Sequence, residues 1–92
     1  MNFISQSLNK TKNTYIPLKN KLSIQFAMQI EQLRKNQNIS YKRLAEMVGV
    51  SPAYISKVMR GDKNLTQETM AKFAFALGAD INLDICNRMD KA

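Results

Sequence analysis

The 92-residue chain contains no histidine and a single cysteine, Cys86. Without His it lacks the commonest general base and the commonest metal ligand. One cysteine can make neither an intrachain disulfide nor a cysteine metal cluster. A reducing, cytoplasmic setting is the simplest reading of that usage. Apolar runs are short, and none approaches the roughly 18 residues of a membrane span. Residues 1–10 lack the apolar stretch of a secretory signal. Residues 1–22 share the Lys- and Ser/Thr-rich, acid-free composition of an organellar transit peptide, but they contain no Arg. Carboxylates are sparse too: Asp80, Asp84 and Asp90 are the only group of acids. These gaps disfavour most small enzymes and every secreted disulfide scaffold. No catalytic residue, cofactor or metal site is expected.

What is present is a core and a charge. Hydrophobic residues make up 45% of the chain, enough for one modest core. Fourteen basic residues face seven acidic ones, a formal charge of +7, which suggests a polyanionic partner. The excess is uneven. Residues 1–22 carry Lys10, Lys12, Lys19 and Lys21 and no acid, giving +4. Residues 34–63 carry seven basic residues against Glu46 and Asp62, giving +5. The remaining stretches, 23–33 and 64–92, are each −1.

Periodicity divides the chain into three parts. Residues 1–22 are polar, basic and without evident helical period, and Tyr15-Ile16-Pro17-Leu18 reads as extended. They are expected to form an arm or an edge strand. Residues 23–78 read as helices. Ser23 is placed to cap a helix to about Asn36, with Phe26, Ile30 and Leu33 on one face. Ser40 is placed to cap Tyr41–Val48, with Leu44, Ala45 and Val48 facing inward and Gly49 ending it. Ser51-Pro52 opens a third helix, stopping at Gly61, and Thr66 opens a fourth, stopping at Gly78. Residues 79–92 are read as a strand and tail: Ile81, Leu83 and Ile85 alternate with Asn82 and Asp84, the period of a half-buried strand. Cys86 reads as a small apolar residue in or after it.

The informative stretch is Ser40–Gly61. Two short helices meet across a tight turn. Ala45 is small where they approach, Gly49 makes the turn, and Val50, Ile55 and Val58 pack the second helix on the first. Its solvent face then holds Pro52, Ala53, Tyr54, Ser56 and Lys57, flanked by Lys42, Arg43, Arg60 and Lys63, which suits a DNA major groove. This spacing, with the wording Val-Ser-Pro-x-Tyr-Ile-Ser-Lys-x-x-Arg-Gly over residues 50–61, resembles the helix-turn-helix of the phage-repressor (Cro/cI, XRE-like) family. With its flanking helices the resemblance spans about residues 23–78. It implies a mainly α, four- to five-helix lambda-repressor-like domain.

The resemblance also implies roles. Ala53, Tyr54 and Lys57 would face base edges. Ser40, Lys42, Arg43, Ser51, Ser56, Arg60, Lys63 and Asn64 would contact phosphates. Family members often carry Gln at the start of the second helix and Gln or Asn early in the recognition helix. Here those places hold Tyr41, Pro52 and Ala53, so adenine readout from them is absent and specificity leans on Tyr54, Lys57 and DNA shape. Two plainer readings stay open: Tyr54 as a packed aromatic, and Lys57 and Lys63 as solvated lysines.

The segment after Gly78 resembles the extension of HigA-like antitoxins. A lone strand of Ile81, Leu83 and Ile85 exposes an unpaired edge. It calls for the same strand of a second subunit, the Tyr15–Leu18 segment, or a toxin protein. Strand exchange would give a two-fold dimer on a palindromic operator. The expected function is a repressor, as an autoregulating type II antitoxin of an RNase toxin. A stand-alone mobile-element repressor and a protein-interaction adaptor are the alternatives.

Overall fold

The structure, a computed structural model, describes residues 2–87, with side chains from Tyr15 onward. Four helices follow in order: α1 (Asn2–Asn36), α2 (Tyr41–Val48), α3 (Pro52–Met59) and α4 (Gln67–Ala76).

The largest correction concerns the first 22 residues. They form neither an arm nor an edge strand: from Asn2 they belong to α1, which runs without interruption into the body of the domain. Ser23 therefore does not cap a helix. It lies inside α1 and its hydroxyl donates to the Lys63 carbonyl at 3.4 Å. The misleading signal was Pro17, which sits inside the helix. A proline there forgoes one backbone hydrogen bond at about 3 kcal/mol or more. The overlooked signal is the spacing Tyr15, Leu18, Leu22, Phe26, an apolar stripe at helical period.

The three short helices form where capping chemistry places them. Ser40 Oγ accepts the Arg43 N–H at 3.0 Å, Ser51 Oγ accepts that of Tyr54 at 3.1 Å, and Thr66 Oγ1 accepts that of Thr69 at 3.1 Å. Each cap satisfies one N–H the helix cannot, worth about 1 kcal/mol. Pro52 occupies the first turn of α3, where an N–H is not missed. After α4, the Gln37 side chain donates to the Leu77 carbonyl at 2.8 Å, tying that end to the end of α1.

The core lies between the second half of α1 and the other helices. Ile30, Leu44, Ala45, Val48, Ile55, Val58, Phe73 and Leu77 form it. Phe26 meets Phe73 edge-on, with ring centroids 5.6 Å apart. No polar side chain is buried among the described residues, so burial of apolar surface holds this body together.

The strand expected over Ile81, Leu83 and Ile85 does not form. Among the described residues there is no strand, and 79–87 is irregular. Leu83 and Ile85 are 81% and 85% exposed. The reason is the absence of a ladder partner: a strand needs a second backbone to bond, and the candidate within the chain, Tyr15–Leu18, is helical. Cys86 is accordingly exposed. Positions 88–92 of the expected tail lie outside the described residues.

Candidate nucleic-acid interface

The site is built on the α2–turn–α3 unit. Gly49 ends α2 at φ +85°, and its N–H bonds the Ala45 carbonyl at 2.8 Å. An added Cβ there would meet nothing within 4 Å. Glycine is required by the backbone angle rather than by space. The Val50 N–H bonds the same carbonyl at 3.0 Å, which closes the turn. Ala45 is fully buried between the helices. Ile55 and Val58 point into the core, which orients α3.

That orientation leaves Pro52, Ala53, Ser56 and Lys57 exposed on one face. Tyr54 stands between the two readings open for it. It is half-buried and packed against the core, and Lys63 Nζ lies 5.3 Å from its ring centroid. Tyr54 is therefore a held ring at the edge of the exposed face. Lys63 is more than a solvated lysine, because its cation caps an aromatic face.

The other basic residues differ in how free they are. Arg43 pairs with Glu46 at 3.3 Å and Arg60 with Asp62 at 2.9 Å, both in solvent. Among the described residues no ion pair involves Lys42 or Lys57. Ser40 and Ser51 use their oxygens as cap acceptors, so each hydroxyl proton stays free to donate at a helix N-terminus. Ser56 and Asn64 are exposed.

The loop after α3 is pinned to α1. Gly61 has φ +75°, and an added Cβ would lie 3.2 Å from Ile24 Cγ1, so both angle and space favour glycine. Together with the Ser23–Lys63 hydrogen bond, this holds the Arg60–Asn64 loop beside α3.

One arrangement escaped the sequence reading. Glu31 of α1 takes two hydrogen bonds from Arg34, at 3.0 and 2.8 Å, and a third from the Tyr41 hydroxyl at 2.8 Å. Arg34 also donates to the Ile39 carbonyl at 2.8 Å and stacks 4.2 Å from the centre of the Tyr41 ring. The Arg34 hydrogen bonds hold the Glu31 carboxyl down at about 2, against the opposing effect of burial. The Glu31 partnership in turn raises Arg34 and Tyr41. The cluster fixes the start of α2 on α1. The Glu31/Arg34 spacing was a helix-pair signal in the sequence. Nothing local pointed to Tyr41.

Four packed helices, with a glycine-closed turn setting one helix outward under a basic rim, define a helix-turn-helix DNA-binding domain. A family model described as helix-turn-helix matches residues 30–83, more than half of the chain. The chain belongs to this family, of the phage-repressor (XRE/Cro/cI) type, whose members bind DNA as transcriptional regulators and are not enzymes. No curated protein matches the chain. Among the described residues no helix is long and apolar enough to cross a membrane.

Proposed function

We propose that the protein is an operator-binding repressor that acts as a homodimer, with α3 in the major groove of a palindromic site. Ala53, Tyr54 and Lys57 read bases. Ser40, Lys42, Arg43, Ser51, Ser56, Arg60, Lys63 and Asn64 hold phosphates. One observation carries this reading: Lys57, without an ion-pair partner, stands on the exposed face of α3 in the segment of charge +5. Lys57 would donate to guanine acceptors, and Ala53 or the rim of Tyr54 would touch a thymine methyl. Binding to DNA from the chain's own promoter, followed against salt, tests it. Affinity must fall steeply with salt and exceed that for unrelated DNA. Salt-insensitive or absent binding would favour the adaptor reading.

Two finer readings follow. The HigA-like antitoxin reading, in which the same chain neutralises an RNase toxin encoded beside it, rests on the sequence after Gly78 alone, since the strand expected there does not form. The basic character of residues 1–22 favours the stand-alone repressor, since a basic toxin calls for an acidic clamp. Native copurification decides between them: a small partner from the neighbouring gene supports the antitoxin, and its absence supports the repressor alone.

A further inference from the structure

Two exposed apolar surfaces of this chain carry opposite charge. The first is on α1 before the body of the domain begins. Tyr15, Leu18 and Leu22 are 45%, 48% and 56% exposed. At 3.6 residues per turn they continue the stripe of Phe26 and Leu33 that packs on the core. The same turn angle places Lys19 on one edge of this stripe and Lys21 on the other. No acid occurs between Tyr15 and Ile30. The second surface is the segment after α4, where Ile81, Leu83 and Ile85 are exposed between Asp80 and Asp84. No Lys or Arg occurs between Phe73 and Asn87.

Within one chain the two surfaces stay apart in this structure, since Leu18, Leu22, Leu83 and Ile85 are all exposed. The Gln37–Leu77 hydrogen bond places the root of the tail at the C-terminal end of α1. Leu22 lies about 21 Å back along the helix from Asn36, and Tyr15 about 31 Å, at 1.5 Å per residue. An extended chain gains at most about 3.6 Å per residue. Ile81 therefore reaches about 14 Å from Leu77, short of the whole stripe. Ile85 reaches about 29 Å, which spans to Leu22 and Leu18 only when fully extended and falls short of Tyr15.

We propose that the tail of one copy, Ile81–Ile85, seats on the Tyr15–Leu22 stripe of a second copy, and reciprocally. Asp80 and Asp84 then face Lys19 and Lys21. The exchange is two-fold and closed, so it ends at a dimer. Pairing of α1 with α1 through this face would bring lysines against lysines. Pairing of tail with tail would leave the α1 stripe bare. The proposal rests on the dimer of the operator-binding reading and names its interface.

The test uses the full chain and its one cysteine. Cys86 is exposed and takes a benzophenone maleimide. Light and heavy isotopic chains are mixed, irradiated and digested. The expected products are mixed light–heavy crosslinks from Cys86 to residues 15–28. In parallel, sedimentation equilibrium follows charge reversal. Lys19→Glu with Lys21→Glu, and separately Asp80→Lys with Asp84→Lys, should each weaken dimerisation roughly tenfold, and combining all four should restore it. Circular dichroism confirms that each variant keeps its helices. Mixed crosslinks from tail to tail, or a dimer indifferent to the α1 charges, would overturn the interface while leaving the dimer standing. A monomer would overturn both, and the salt-dependent DNA titration would still judge DNA binding separately.

Discussion

The two halves of α1 are one helix with one apolar stripe, and they meet opposite fates. From Phe26 to Leu33 the stripe is covered by α2, α3 and α4, and Ile30 is 3% exposed. From Tyr15 to Leu22 nothing among the described residues covers it, and Leu22 is 56% exposed. The pattern of residues does not distinguish the halves, since an amphipathic stripe states only that a partner is needed. What differs is whether the chain supplies that partner. The basic charge divides along a similar line: the charge of +5 surrounds the helix–turn–helix, and the charge of +4 lies in residues 1–22.

The sharpest way to break this comparison is to cut the same helix twice. Ile30→Ala removes a fully packed side chain and should destabilise the fold by about 2–5 kcal/mol. Leu22→Ala lies on the same stripe and should change stability by less than about 0.5 kcal/mol at concentrations where the chain is monomeric. Urea unfolding of both variants measures the difference. Equal effects would mean that the first half is packed in solution after all.

The next effect belongs to the approach of α2 and α3. Ala45 is 2% exposed, at the carbonyl that both Gly49 and Val50 use. Ala45→Leu overpacks this contact and should lower stability by about 1–3 kcal/mol. DNA affinity should fall further than stability explains, because α3 is re-aimed. A variant with unchanged affinity would detach recognition from the α2–α3 angle.

Within the basic region the comparison is between lysines. Lys57→Ala should cost about 1–3 kcal/mol of binding and relax base preference at one position. Lys42→Ala should weaken all sequences alike and reduce the salt slope by about one. Binding isotherms on operator and scrambled DNA at several salt concentrations separate the two. If they behave alike, the division into base and phosphate contacts fails. Lys63→Ala is a poorer probe, since it also uncaps the Tyr54 ring.

How far the sequence spoke depended on how local the controlling physics is. The caps at Ser40, Ser51 and Thr66, the turn at Gly49 and the inward residues of α2 and α3 were legible, because each is decided within a few residues. Pro17 hid the first half of α1, since a local helix-breaking signal was overridden by the helix on either side of it. The alternation of Ile81, Leu83 and Ile85 was real, yet a strand is a property of a pair of backbones. The exposed face of α3 was legible from what packs beneath it. The pairing of Arg43 and Arg60 with neighbouring acids was not, because surface ion pairs depend on rotamers.

The anchored half of α1 also differs from the free half by carrying Glu31, the one strongly shifted carboxylate among the described residues, and that difference can be titrated. Arg34 and Tyr41 hold the Glu31 carboxyl at about 2, below its ordinary 4.5. A carboxyl depressed by folding stabilises the folded state fully above its unfolded value, and that contribution is lost as pH falls through the folded value. The window therefore runs from about 4.5 down to about 2. Glu31 and Arg34 side chains are 28% and 16% exposed, so solvent screens the pair and about 1–2 kcal/mol is the reasonable scale. Glu31→Gln keeps the shape and removes the charge. At neutral pH the variant should be less stable than the parent by that amount, and the gap should close as the pH is lowered through the window. Urea unfolding of both proteins at neutral pH and at two acid points measures it. A gap that stays constant with pH would mean the start of α2 is held by packing of Tyr41 on Arg34 alone, with the carboxylate charge contributing nothing.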